Sequence, residues 1–158
     1  MPELGPVTFR EMTQEDAAVV AGWSYPPPYD FYDASSDADD LAELLDHDRR
    51  AGRYLAAFDG DGALVGFAQL TPAGGDVVIG LGLRPDLTGH GLGAGFLESV
   101  LAAARERSAP VRFTLSVAAF NRRAISVYER AGFVEVERGP HTTNGGVHEF
   151  VTMARAAG

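Results

Sequence analysis

A chain of 158 residues with 46% hydrophobic content is long enough for one core and too apolar to remain disordered. It has no cysteine, which excludes disulfides, thiolate metal sites and a cysteine nucleophile, and its net charge of −9 argues against nucleic acid as a partner and either serves solubility alone or favours amines over anions at long range. No apolar run reaches the length of a membrane span, and Met1-Pro2-Glu3-Leu4-Gly5-Pro6 has neither the basic region nor the apolar core of a signal peptide, so one cytoplasmic domain over residues 1–158, with no membrane partner, is expected.

Val7-Thr8-Phe9-Arg10 alternates as a short first strand. Thr13, with Asp16 three residues on, resembles a capping box and predicts a helix from Gln14 to Trp23 with Ala17, Val20 and Ala21 inward. Trp23 to Tyr32 then reads WSYPPPYDFY. Its prolines break a helix, and its rings exceed what a solvated loop requires. Trp23, Tyr25, Tyr29, Phe31 and Tyr32 either wall an acceptor pocket, pin the loop to the core or form a homodimer contact. Ser35 or Ser36 caps a second helix, Asp37 to Arg49, whose acidic start and basic end suit the helix dipole and read as a solvated face, with Gly52 as its stop.

Tyr54–Phe58 and Ala63–Leu70 read as strands joined by Asp59-Gly60-Asp61-Gly62, and Pro72-Ala73-Gly74-Gly75 turns the chain into Asp76–Leu83. Gly80 and Gly82 suggest a bulge in that strand or close approach by a ligand. Thr88-Gly89-His90-Gly91-Leu92-Gly93 follows, leading into a helix with Leu92, Phe96, Leu97, Val100, Leu101 and Ala104 on one stripe. A helix start leaves N–H groups unpaired and adds roughly half a positive charge, which suits phosphate. The alternative is a structural turn needing left-handed glycines. The spacing is neither a P-loop nor a dinucleotide fingerprint.

After Pro110, Val111–Val117 is a strand expected to lie parallel to the one before the loop. Arg122–Ala131 is a helix closed by Gly132, Val134–Arg138 an exposed strand, His141–Gly146 a polar loop, and His148–Ala154 the strand that closes the sheet.

Two segments carry a family resemblance. Thr88-Gly89-His90-Gly91-Leu92-Gly93 resembles the coenzyme A pyrophosphate loop of the GNAT superfamily of N-acetyltransferases, Gln/Arg-x-x-Gly-x-Gly/Ala, with Thr88 departing at the first position. Asn121 to Phe133, NRRAISVYERAGF, resembles the family's N-x-x-A-x-x-x-Y-x-x-x-G-F segment at every fixed position. The resemblance implies a mixed α/β fold, with a central, mostly antiparallel sheet of about seven strands flanked by about four helices. It implies transfer of an acetyl group from acetyl-CoA to a primary amine of a small molecule or a peptide N-terminus, by direct attack. The cofactor contacts it implies are Leu81, Gly82 and Leu83 for the pantetheine arm, Thr88, Gly89, His90, Gly91, Leu92, Gly93 and Ala94 for the phosphates, and Asn121 and Tyr128 beyond them. By pattern alone, Tyr128 is a core tyrosine and Asn121 a helix-start residue.

The resemblance makes Tyr128 the hydrogen-bond donor to the departing sulfur, since full proton transfer from a phenol to a thiolate is uphill by about 2 kcal/mol. A carboxylate base expected on the strand before the loop is missing from Val77–Leu83. Glu149, His148, His141 or a water chain remain. A weak base favours a less basic acceptor, because a lysine-like amine costs roughly 4 kcal/mol to deprotonate near neutral pH and an α-amine under about 1. The two histidines and Glu149 fit no metal pattern, so no metal is expected. The rival expectation is a non-catalytic acyl-CoA-binding or sensor domain.

Overall fold

The computed structural model describes residues 3–158; Met1 and Pro2, the start of the stretch weighed above as a leader, lie outside them. Seven strands form one sheet: β1 (Thr8–Glu11), β2 (Tyr54–Phe58), β3 (Leu64–Ala73), β4 (Asp76–Leu83), β5 (Arg112–Ala118), β6 (Val134–Thr143) and β7 (Gly146–Ala156), in the order β1-β2-β3-β4-β5-β7-β6. The helices are α1 (Gln14–Ala21), α2 (Ala38–Leu45), α3 (His47–Arg50), α4 (Gly93–Ser108) and α5 (Arg122–Arg130). Single 3-10 turns occupy Tyr29–Tyr32, Ala34–Ser36 and Pro85–Leu87.

Strand alternation divides the interior into two cores. On β2, Leu55 and Ala57 face the core that α4 fills with Phe96, Leu97, Val100 and Leu101. Tyr54 and Ala56 face the other, with Met12, Ala17 and Val20 of the α1 region and Leu44 of α2. The glycine turn and α4 are thus built against one face of the sheet, and the start of the aromatic loop and α2 against the other.

One pair of neighbours matters most. β4 and β5 run parallel, but pair only from Asp76↔Arg112 to Val78↔Thr114. Beyond that, β4 continues against β3 to Leu83 and β5 against β7 to Ala118. The two strands splay at their carboxyl ends, the place where ligands enter open parallel sheets.

Several expectations are corrected. The capping box at Thr13 and Asp16 forms, but α1 stops at Ala21. The second helix is two: Asp37 caps α2, and Asp46 ends it and caps α3, each carboxylate taking two backbone N–H groups. A serine cap is not used, because Asp37 offers the stronger charged acceptor. The basic end is not all solvated. Arg50 is 1% exposed and donates to the carbonyls of Met12 and Leu44 and to Gln14 Oε1.

β3 runs through Pro72 and Ala73, where the sequence predicts a turn. Leu70 donates to Arg53 on the β2 side, so Pro72 faces that side past the end of β2, where its missing N–H costs nothing. No register shift marks Gly80 or Gly82, so the bulge is absent from the β3–β4 pairing. His141–Thr143 belong to β6, and only Asn144-Gly145 turn the chain, with φ of 52° and 74°. β7 does not close the sheet; it lies between β5 and β6.

Candidate active site

A cavity of about 770 Å³ opens where β4 and β5 part. One end of it is the turn before α4. Gly89 and Gly91 both have φ of +76°, which only glycine adopts without cost, and nothing lies within 4 Å of a Cβ placed at Gly91. Leu92 caps α4 without a side-chain bond. Among the described residues, no protein acceptor takes the backbone N–H groups of Gly89, His90, Gly91, Leu92, Gly93, Ala94 or Gly95. That run of free donors on a helix start fits a diphosphate. His90 and Ala94, both expected at the phosphates, are absent from the cavity lining. Thr88 contributes little as a donor, because its hydroxyl hydrogen is spent on the Pro85 carbonyl at 2.7 Å.

Along β4, Arg84 donates to Val65 on the β3 side, so Leu83 and Leu81 turn their N–H groups toward the splay. Gly82 turns its own toward β3 and serves differently. A Cβ there would meet the Phe67 ring at 2.5 Å, and one at Gly80 would crowd Gln69 at 3.3 Å. The glycines let these β3 side chains lean across the cavity floor, where both line it.

The Tyr128 hydroxyl has no hydrogen-bond partner among the described residues and lines the same cavity, its ring set edge-on to Phe133 at 6.0 Å. Burial, with a smaller contribution from Tyr32, pushes its phenol up to about 12. Donation of the whole proton to a thiolate near 8.5 would then be uphill by about 5 kcal/mol, so the group acts as a hydrogen-bond donor. Asn121 is committed elsewhere: Oδ1 accepts the Ala124 N–H at the start of α5, and Nδ2 donates to the Tyr32 hydroxyl oxygen.

Another part of the lining comes from the aromatic loop. All five of its singled-out rings, Trp23, Tyr25, Tyr29, Phe31 and Tyr32, line the cavity, and they are pinned as well. Tyr25 donates to the Leu83 carbonyl at 2.7 Å, at the end of β4. The Tyr32 oxygen accepts the Ala118 N–H at 3.2 Å, at the end of β5. Trp23 packs on Phe67, and Phe31 packs on Phe120, His148 and Phe150. The β6–β7 turn clamps the loop from outside, with the Asn144 amide donating to the Phe31 carbonyl and the Asn144 N–H to Asp37.

Sequence reasoning missed the acid in this part of the lining. Asp33, Asp40 and Glu43 line the cavity. Glu43 is held by Arg53 and by the Tyr54 hydroxyl. Among the described residues Asp40 has no cationic partner, and burial followed by its neighbours Asp37, Glu43 and Asp39 raises its carboxyl above the usual range. The signal was present in the three-residue spacing of Asp40 and Glu43, which puts both on one face of α2. Glu149 lies outside the cavity lining, exposed beside Arg138 at 3.6 Å. His141 lines it, stacked on Phe150, and His148 does not. Among the described residues, no group of three or more His, Asp or Glu could hold a metal ion.

Residues 14–133 match the model of the acetyltransferase (GNAT) family, a span that covers most of the chain. The protein belongs to the GNAT family. Among solved structures, this GNAT chain is similar to a chimera of the Vibrio cholerae spermidine N-acetyltransferase, at TM-score 0.77 and 20% identity over 96% of this chain and 95% of that one. The Vibrio cholerae enzyme in complex with CoA and spermine gives TM-score 0.74 and 20% identity over 96% and 95% of the two chains. Its dodecameric form in an intermediate state gives 0.70 and 19% over 96% and 94%. At these identities the likeness is one of fold. No curated protein matches the chain. Among the described residues, no helix of this GNAT domain is long and apolar enough to cross a membrane.

Proposed function

We propose that the protein transfers the acetyl group of acetyl-CoA to a primary amine of a small cationic acceptor in the cytoplasm. One observation carries this: free amides at the start of α4, the unpartnered Tyr128 hydroxyl and an acid-lined aromatic end share one cavity. In this reading the phosphates lie on Gly89 to Gly95 and the pantetheine arm beside Leu81 and Leu83. The neutral amine attacks the thioester carbon, the C–S bond breaks, and Tyr128 hydrogen-bonds the departing thiolate. Asp40 replaces Glu149 as the carboxylate that takes the amine's proton. A carboxylate within the cavity also removes the reason to favour weakly basic acceptors. The acid wall suits a second positive charge, and a fold neighbour that was solved with CoA and spermine supports a polyamine class.

The test is calorimetric titration with acetyl-CoA, followed by thiol release with a linear polyamine, a monoamine of equal length and a peptide N-terminus. Micromolar-range binding and a lower KM for the polyamine are expected. Binding without turnover on any amine would mean a sensor domain instead. Equal KM for polyamine and monoamine would remove the role of the acid wall.

A further inference from the structure

We propose that Arg123 supplies the side-chain charge on the coenzyme's phosphates that the loop itself lacks, and that Tyr29 holds it there. The inference rests on the cofactor site above but assigns it a residue from a different element. At the first position of the loop, Thr88 carries no charge and has donated its hydroxyl hydrogen to Pro85. Arg123, in the first turn of α5, fills the gap from across the cavity. Its Nη1 lies 3.6 Å from where a Cβ on Gly89 would sit, so the guanidinium borders the run of free amides. It has no carboxylate partner among the described residues, while Arg84, at the other end of the same turn, is paired with Asp86.

The guanidinium does not hang free. Its carbon lies 4.0 Å from the centroid of the Tyr29 ring. Stacking on a ring face leaves the in-plane N–H donors available, the geometry in which arginine grips phosphate with two bonds. Tyr29 belongs to the aromatic loop that lines the acceptor end. The same contact therefore ties the acceptor wall to the cofactor's phosphates. A lysine could supply the charge but neither the flat stack nor the paired donors.

The experiment is calorimetry with acetyl-CoA and with acetyl-pantetheine, which lacks the nucleotide and its phosphates. Arg123→Ala should weaken acetyl-CoA binding about tenfold or more and leave acetyl-pantetheine unchanged, with a smaller dependence of affinity on salt. Arg123→Lys should recover only part of the loss. Tyr29→Leu should weaken acetyl-CoA about threefold and should add nothing on top of Arg123→Ala. If the unaltered protein binds acetyl-CoA and Arg123→Ala binds it within twofold, or loses acetyl-pantetheine equally, this inference falls and the cofactor site stands. If the unaltered protein binds neither ligand, both fall.

Discussion

The two ends of the cavity are built by opposite strategies. The cofactor end of this reading is mostly local: one strand, one glycine turn and one helix, Asp76 to Ser108, present backbone donors, to which Arg123 of α5 adds one side chain. The acceptor end is gathered from far apart. Tyr25 reaches Leu83, Tyr32 reaches Ala118 and Asn121, and Phe31 is held by Asn144. A backbone cradle tolerates changes of side chain as long as its glycines remain. A wall of side chains changes its selectivity with each substitution. Chemistry common to a family can sit in the first, and chemistry particular to one member in the second.

The largest expected effect strikes the local end. Gly91→Asp places a side chain and a negative charge among the free amides, at φ +76°. Acetyl-CoA affinity should fall at least about 100-fold by calorimetry, while the thermal midpoint drops only as far as the roughly 1–2 kcal/mol strain of a left-handed residue dictates. Collapse of the fold in that variant would show that the turn is structural first.

The gathered end should fail through stability. Arg50→Met removes bonds that join the Met12 and Leu44 carbonyls to Gln14, beneath the floor of the acceptor wall. A loss of about 3 kcal/mol in urea unfolding is expected, from buried carbonyls left without donors. A loss below about 1 kcal/mol would mean water replaces the guanidinium.

Between the two ends, Tyr128→Phe deletes one unpartnered hydroxyl and leaves the ring on Phe133. Turnover should drop about tenfold with acetyl-CoA affinity unchanged. Equal turnover in the variant removes Tyr128 from the chemistry. Asp40→Asn has a small effect on binding but removes the carboxylate proposed to take the amine's proton, so turnover near neutral pH should fall about 100-fold. Burial and the nearby acids raise the Asp40 carboxyl, so the ionised form that accepts a proton is lost at a higher pH than for an ordinary carboxylate. Activity should therefore fall as pH drops through that raised value. The variant should lose this acid limb, and its KM for a polyamine should rise about threefold. An unchanged limb assigns the proton to another group.

What could be read from the residues follows the same division. The glycine turn, the parallel return to β5 and the capped starts of α1 and α5 were legible, because glycine sign, cap chemistry and apolar period are local signals. The run from Asp37 to Arg50 was not. Its charges looked solvated, yet Asp46 breaks it into two helices, Arg50 turns inward and Asp40 faces the cavity. Glu149 was singled out from position alone, and alternation along β7 sends it away from Phe150, which lines the cavity. The β6–β7 hairpin was underestimated because polar residues such as His141 and Thr142 read as loop until a partner strand is known. Each miss concerns a side chain whose environment comes from a distant segment.

The sheet order also sets a schedule for the growing chain. β7 slots between β5 and β6, so one edge of β5 stays unpaired until β7 has been made. Until then the strand pairing of β5 is limited to its short parallel contact with β4, beside its packing on α4. The Asn144 clamp on Phe31 spans 113 positions, a closure that a chain emerging in order can make only late. On the ribosome, the phosphate turn can form first and the acceptor wall locks last. A chaperone that meets this chain during synthesis would therefore find an open β5 edge beside a nearly finished cofactor cradle.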